Sequence, residues 1–304
     1  MKQKIRKKTS VKSNHFQTIA LLISMAGLLG LIGWLVAGVS GVKIAVILTT
    51  LTVVFTPKMP PRLVMKSFRA KPLNPRTLGG LYKIAGQLAQ NAGLEKIPAL
   101  YYLPSPKLNA FAVGNKKDSA IALTHGLITA LTTRELAGIL AHEITHIKNN
   151  DTQVMALSSV FGRMTNYLSL AGQILLVFSL PLVIAGKTTL SLLALGVMVF
   201  APVFSMLLYL ALSRTREFEA DKGSLILLND PRALASALSK VEQYNTGAWR
   251  RFFAPIQVRP DQAPLLLSHP PTKERVRRLL AMSPKQKYHP GYRMIRPDRQ
   301  VIVL

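Results

Sequence analysis

Four apolar runs, nearly free of charge, punctuate this chain of 304 residues. No formal charge occurs from Phe16 to Val42, and the stretch Thr18 to Val39 can cross a hydrocarbon core that needs about 20 apolar residues. A cleaved signal peptide would carry an apolar region of only about 7–15 residues, so this run reads as a retained span. Ile44 to Thr56 is shorter. Taken with Val39 to Val42 it spans if Lys43 snorkels at the far interface, and otherwise it is re-entrant. Tyr167 to Gly186 and Leu190 to Leu212, joined by a turn carrying Lys187, read as a second hairpin. The alternative is two buried helices of a soluble core, but Pro181 and Pro202 interrupt them, and transmembrane helices tolerate proline better.

The intervening segments have the periodicities of a folded domain. Leu78, Leu81, Tyr82, Ala85, Leu88 and Ala89 recur at helical spacing and stop near Gly93, while Ala99 to Leu103 and Ala120 to Thr124 read as short strands. Leu136, Ile139, Leu140, Glu143 and Ile147 share one face of a helix that Thr132 and Glu135 would open with a capping box. Asp230 with Pro231 predicts a helix to about Tyr244, and Pro271 or Thr272 starts another to about Met282.

Composition changes the picture in two ways. Lys and Arg number 39 against 13 Asp and Glu, a formal charge of +26, yet 49% of residues are hydrophobic and the mean hydropathy is +0.26. That combination is unlike a soluble nucleic-acid-binding domain and points to a membrane. Lys2, Lys4, Arg6, Lys7, Lys8 and Lys12 precede the first span, and Lys58, Arg62, Lys66, Arg69, Lys71 and Arg76 follow the second, with no acid in either group. Both flanks therefore read as cytoplasmic. Cysteine is absent, which excludes disulfides and thiol chemistry and leaves His, Asp and Glu as metal ligands.

Within the capped helix lies His142-Glu143-Ile144-Thr145-His146, an H-E-x-x-H arrangement. The i, i+4 spacing stacks both imidazoles on one face, while Glu143 projects about 100° further round, the geometry a zinc-bound water requires. The bland reading is two surface histidines on an amphipathic helix. Against it stands the clustering of Glu217, Glu219 and Asp221 just after the last apolar run. If that segment is helical, Glu217 and Asp221 share a face, and one of the pair can bind a metal while the other orients a ligand. Alone, three clustered acids would be a solvated helix end. The two apolar runs between His146 and Glu217 return the chain to the side it left, so the cluster and the histidines can meet, close to the cytoplasmic bilayer surface.

These residues resemble the HtpX-type membrane metalloproteases, relatives of the CAAX prenyl endopeptidases. The matching pieces are Asn109 to Gly114, Leu140 to Asp151, Glu217 to Asp221, and Ser268-His269-Pro270-Pro271-Thr272 followed by Arg275. The resemblance implies a mainly α integral membrane protein with a zincin-like α+β metalloprotease domain and four transmembrane helices. It implies one Zn2+ per chain held by His142, His146 and Glu217, with Glu143 as general base. Asn109, Ala110, Phe111 and Ala112 would form an edge strand that pairs with the substrate, His269 would donate to the oxyanion, and Arg275 would partner Asp221. Read without it, His269 is a helix-start residue, Asn109 a turn residue and Asp151 a helix-end hydrogen-bonding residue.

The expected organisation is a basic tail (1–15), a transmembrane hairpin (16–57), a catalytic segment (58–166), a second hairpin (167–212), a segment with the third ligand (213–282) and a basic tail (283–304). The expected activity is zinc-dependent endopeptidase action on misfolded or damaged membrane proteins or peptides. The catalytic domain and both termini would be cytoplasmic, at the inner membrane if the source is bacterial. A CAAX-type processing peptidase is the enzymatic alternative. A non-enzymatic protein is the other: Lys273, Arg275, Arg277, Arg278, Lys285, Lys287, Arg293, Arg296 and Arg299, opposed only by Glu274 and Asp298, would attract anionic lipid. Nucleic acid is set aside because no binding motif accompanies the charge.

Overall fold

The computed structural model describes residues 2–55, 60–76, 78–187, 191–252 and 270–282. In chain order the elements are α1 (Lys2–Phe55), α2 (Pro61–Ser67), β1 (Lys71–Pro72), α3 (Gly79–Ala92), β2 (Ala99–Leu103), β3 (Ala110–Gly114), β4 (Ser119–Thr124), α4 (His125–Ala130), α5 (Thr133–Asn149), α6 (Asp151–Ile184), α7 (Leu192–Leu228), α8 (Pro231–Phe252) and α9 (Thr272–Ala281). They fall into two compact units, divided after residue 152 in α6 and after residue 217 in α7.

One unit is built from α1, most of α6 and the first two-thirds of α7. Phe16–Val54, Asp151–Ile184 and Leu192–Leu228 are long and apolar enough to cross a membrane. Their large apolar side chains are turned outward, with Phe178 76% and Leu193 80% exposed, which a lipid solvent tolerates and water does not. The first of these helices is broken at Ala37 and Gly38, where Gly38 takes φ +57° and ψ −141°, a region essentially reserved for glycine. Beyond the break the chain doubles back. A Cβ on Gly33 would lie 2.8 Å from the Gly41 carbonyl oxygen, whereas residues eight apart in a straight helix are separated by about 12 Å along its axis. The first two apolar runs thus form a hairpin, with the reversal at Gly38. Pro202 sits inside α7 and deprives the Met198 carbonyl of its helical donor. Ser169 Oγ and Gln173 Nε2 of α6 donate to that carbonyl instead, the latter at 3.2 Å. Gly172 allows the approach: a Cβ there would stand 2.7 Å from Met198 Sδ.

The other unit is a four-stranded sheet with helices on both faces. Its strand order is β1-β2-β4-β3, with β2 and β4 parallel and the outer pairs antiparallel. The central strand β4 is buried throughout. Leu88, Leu100, Ile121, Leu123, Leu140 and Ile144 knit α3, the sheet and α5 into one apolar core, which Leu234 and Leu279 extend to α8 and α9. On the opposite face Met65 of α2 packs with Tyr101, Ala120 and Ala122. The expected strands Ala99–Leu103 and Ala120–Thr124 are present. The stop near Gly93 is a left-handed cap with φ +71°.

The capping box of α5 is complete: Thr132 Oγ1 accepts from Glu135 N, and Glu135 Oε2 accepts from Thr132 N at 2.8 Å. Glu135 also receives Ser236 Oγ at 2.6 Å and Lys240 Nζ at 2.8 Å, tying the start of α5 to α8. Burial pushes its carboxyl up, but these donors outweigh it and hold the pKa at about 2. Arg134 and Asp230 form a second, two-pronged link at 2.6 and 2.8 Å. Between them Gly138 lets the helices touch, because a Cβ there would stand 2.7 Å from Leu234 N.

Candidate metal centre

The central turns of α5 lie in the apolar core, which holds His142 and Glu143 buried and His146 half-buried. His142 Nε2 and His146 Nε2 converge to 3.1 Å. The acid cluster lies on α7, which continues as one helix from the apolar run to Leu228, so the condition that put Glu217 and Asp221 on one face is met. Glu217 stands where α7 enters the globular unit, and one ligand atom from each of His142, His146 and Glu217 lies within 4.8 Å of the others.

Each imidazole is held from behind by a carboxylate. Asp221 Oδ1 is 3.1 Å from His142 Nδ1, and Asp151 Oδ2 is 2.7 Å from His146 Nδ1. A carboxylate can only accept, so His146 Nδ1 carries the proton and its Nε2 presents a lone pair; a guanidinium can only donate, so His142 Nε2, facing Arg275 Nη2, presents one too. Two lone pairs facing one another at 3.1 Å beside a buried carboxylate call for a cation, and two imidazoles with one carboxylate form a donor set suited to zinc. The donors therefore fit a metal ion. Arg275 Nη2, itself buried, lies 3.4 Å from His142 Nε2 and places positive charge beside that nitrogen.

Asp221 is fixed by Arg275 of α9, whose Nε and Nη2 donate to its two oxygens at 2.8 and 2.6 Å, both residues being buried. The neighbouring Arg278 stacks its guanidinium 3.8 Å from the centre of the Phe218 ring, so α9 is anchored to α7 beside this pair. Close approach of α7 to α5 depends on Gly223. A Cβ at that position would drive into Thr145 Cγ2 and stand 2.8 Å from Thr145 Oγ1.

Asp151, expected from the sequence as a helix-end hydrogen-bonding residue, has the His146 ring as its partner. Asn150 takes a left-handed conformation, φ +55°, so α5 ends and α6 begins one residue later. That reversal carries Asp151 back beneath His146. The one signal in the sequence is a helix-stopping Asn pair directly before an acid, five residues after the second histidine.

Ala110, Phe111 and Ala112 lie on β3, at the edge of the sheet, as the resemblance implied. Asn109 precedes the strand and is tied by its backbone, its N–H bonded to Thr124 Oγ1 at 3.0 Å and its carbonyl accepting Thr124 N at 3.1 Å. Ala110 and Ala112 pack toward the core that contains α5, while Phe111 and Val113 face Met65 and Tyr101. His269 lies outside the described residues.

The profile of peptidase family M48 matches residues 75–283, and that range takes in β2, β3, β4, the H-E-x-x-H helix, the α7 acids and Arg275. The chain is a member of peptidase family M48. It is 33% identical over 289 residues to the "Protease HtpX homolog" of Trichormus variabilis, an alignment covering 88% of this chain and 96% of that one. Against the homologue from Nostoc punctiforme the identity is 32% over 285 residues, with the same coverage. The homologue from Desulfatibacillum aliphaticivorans is 31% identical over 290 residues, covering 90% and 91%. Among solved structures, S. mikatae Ste24p superposes with a TM-score of 0.48 at 20% identity, covering 88% of this chain and 65% of that longer protein.

As an M48 peptidase the chain is an integral membrane metalloprotease acting on protein or peptide substrates. The His142, His146 and Glu217 group is its candidate metal site.

Proposed function

We propose that this peptidase is a zinc-dependent endopeptidase that cleaves misfolded or damaged membrane proteins at the cytoplasmic face. The observation that carries the reading is the convergence of two Nε2 lone pairs on the carboxylate of Glu217. His142, His146 and Glu217 would hold one zinc ion, which supplies Lewis acidity and a water with a pKa near 7. Glu143, buried one residue from His142, would act as general base toward such a water, holding the proton on a carboxylate oxygen, and as general acid toward the leaving amide nitrogen. Asp221, fixed by Arg275, holds the His142 ring, and Asp151 holds the His146 ring.

The outer edge of β3 pairs only with β4 among the described residues, and its sequence Ala-Phe-Ala-Val-Gly carries neither charge nor proline to block an added strand. A substrate backbone in extended form would lie along it. His269 is the proposed donor to the oxyanion. Glu217 follows Leu212, the end of an apolar run, by five residues, which supports a site at the membrane surface and substrates drawn from the membrane. The basic, acid-free flanks of the first hairpin support the cytoplasmic orientation.

The test is zinc content and cleavage measured together. Glu143→Gln should keep its zinc and lose cleavage by at least a hundredfold, the scale of a general base. Parental cleavage by that variant would refute the role of Glu143.

A further inference from the structure

At the amino-terminal ends of the parallel strands β2 and β4 the globular unit holds a cavity of about 190 Å³, lined by Pro61, Arg62, Lys96, Ile97, Asp118 and Ser119 among others. The β3–β4 turn is closed by Asn115, whose N–H bonds Asp118 O at 2.8 Å and whose side-chain oxygen accepts from Lys117 N at 2.8 Å. Gly114, at φ +101°, lets this turn press on α2: a Cβ there would stand 2.9 Å from Pro61 Cγ. Arg62, next to Pro61 on α2, lines the same cavity as Lys96.

Neither Arg62 nor Lys96 has a hydrogen bond or ion pair among the described residues. Two cations face one concavity with Asp118 as the one acid of the lining, so the space is electropositive and suits an anion. The volume is below the roughly 300–1,000 Å³ of pockets for drug-sized ligands and suits a head group rather than a larger metabolite. Arg62 follows the end of α1 at Phe55 by seven residues, a tether of at most about 25 Å from the end of an apolar helix. Ile97, 57% exposed, adds an apolar side chain at the rim.

We propose that this cavity binds a phosphate-bearing anion, and that in the intact protein the phosphate belongs to an anionic lipid head group. The site is separate from the metal centre and does not depend on the catalytic reading. Full-length protein in nanodiscs of phosphatidylglycerol or of phosphatidylcholine, analysed by native mass spectrometry for retained lipid, tests it, alongside calorimetric titration with inorganic phosphate.

The parent should retain phosphatidylglycerol over phosphatidylcholine. Arg62→Gln with Lys96→Gln should weaken retention about thirtyfold, roughly fivefold for each charge near the surface. Lys116→Gln with Lys117→Gln, at the tip of the same turn but outside the lining, should retain the lipid, and peptidase activity of both variants should match the parent. Equal retention by the Arg62 and Lys96 variant, or equal loss by the Lys116 and Lys117 variant, would overturn the site. Inorganic phosphate binding that the Arg62 and Lys96 changes abolish, without any preference for phosphatidylglycerol, would overturn the lipid source.

Discussion

Gly223→Ala should damage the metal centre although Gly223 touches neither a proposed ligand nor substrate. The added methyl would collide with Thr145 Cγ2 and sit 2.8 Å from its Oγ1 and 3.1 Å from its Cβ. Contacts between such atoms settle at about 3.5–4.0 Å, so α5 and α7 must part by on the order of 1 Å. Thr145 cannot swing aside cheaply, because it is β-branched, buried, and its hydroxyl donates to Ala141 O at 2.8 Å. Overpacking of this kind costs about 1–3 kcal/mol. The functional loss should be larger in proportion, since Thr145 lies between His142 and His146 on α5 while Glu217 and Asp221 share α7 with Gly223, and metal ligation tolerates about 0.2 Å. The assay is zinc dissociation by chelator competition, with thermal melting in the same detergent. Zinc affinity should fall tenfold or more, and Thr145→Ala in the Gly223→Ala background, which removes both nearest atoms, should restore much of it. Parental zinc affinity in Gly223→Ala, or no recovery in the double variant, would refute the claim that this contact sets the site.

Three other perturbations follow from the same structure. Asp151→Asn keeps the size of the side chain that meets His146 Nδ1 at 2.7 Å but removes its charge, and should weaken zinc binding about 10–100-fold while leaving the melting temperature of the zinc-free protein within a few degrees. Glu135→Gln should destabilise the globular unit by about 1–2 kcal/mol: a pKa held at about 2 caps the bridge near 3 kcal/mol, and screening at the half-exposed Lys240 reduces it. Because the folded-state pKa is depressed, that stabilisation is complete above about pH 4.5 and fades toward pH 2, so melting curves of parent and variant should differ at neutral pH and converge in acid. Ser169→Ala with Gln173→Leu strands the Met198 carbonyl opposite Pro202 and should cost about 1–3 kcal/mol in detergent melting; adding Pro202→Ala, which restores the helical N–H, should recover it.

What the sequence made legible were features written in local chemistry. The capping box at Thr132, the stop at Gly93, the strands around Tyr101 and Ala122 and the shared face of His142 and His146 each depend on residues close in the chain. The acid cluster was legible because acids are scarce in a chain with 13 of them. Helix ends in the membrane unit were not: α6 begins at Asp151, sixteen residues before the apolar run at Tyr167, because its first turns mix polar and apolar residues and continue into the apolar run without a break. The reversal of α1 falls at Gly38, inside the apolar run, since hydropathy reports solvent and not backbone dihedrals. Gly138, Gly223 and the Ser169–Met198 contact act between segments far apart in the chain, where no spacing rule reaches. Asp151 was hidden for a subtler reason: its role requires the left-handed turn at Asn150 that folds it under His146.

The proposed chemistry requires Glu217 to join the two histidines around a zinc ion. Zinc per chain, measured by elemental analysis on detergent-purified parent, Glu217→Ala and Glu143→Gln proteins with cleavage assayed on the same samples, tests this most directly. The expected result is one zinc in the parent and in Glu143→Gln, with cleavage only in the parent, and a zinc content near zero for Glu217→Ala. A Glu217→Ala protein that holds one zinc and cleaves at the parental rate would contradict it.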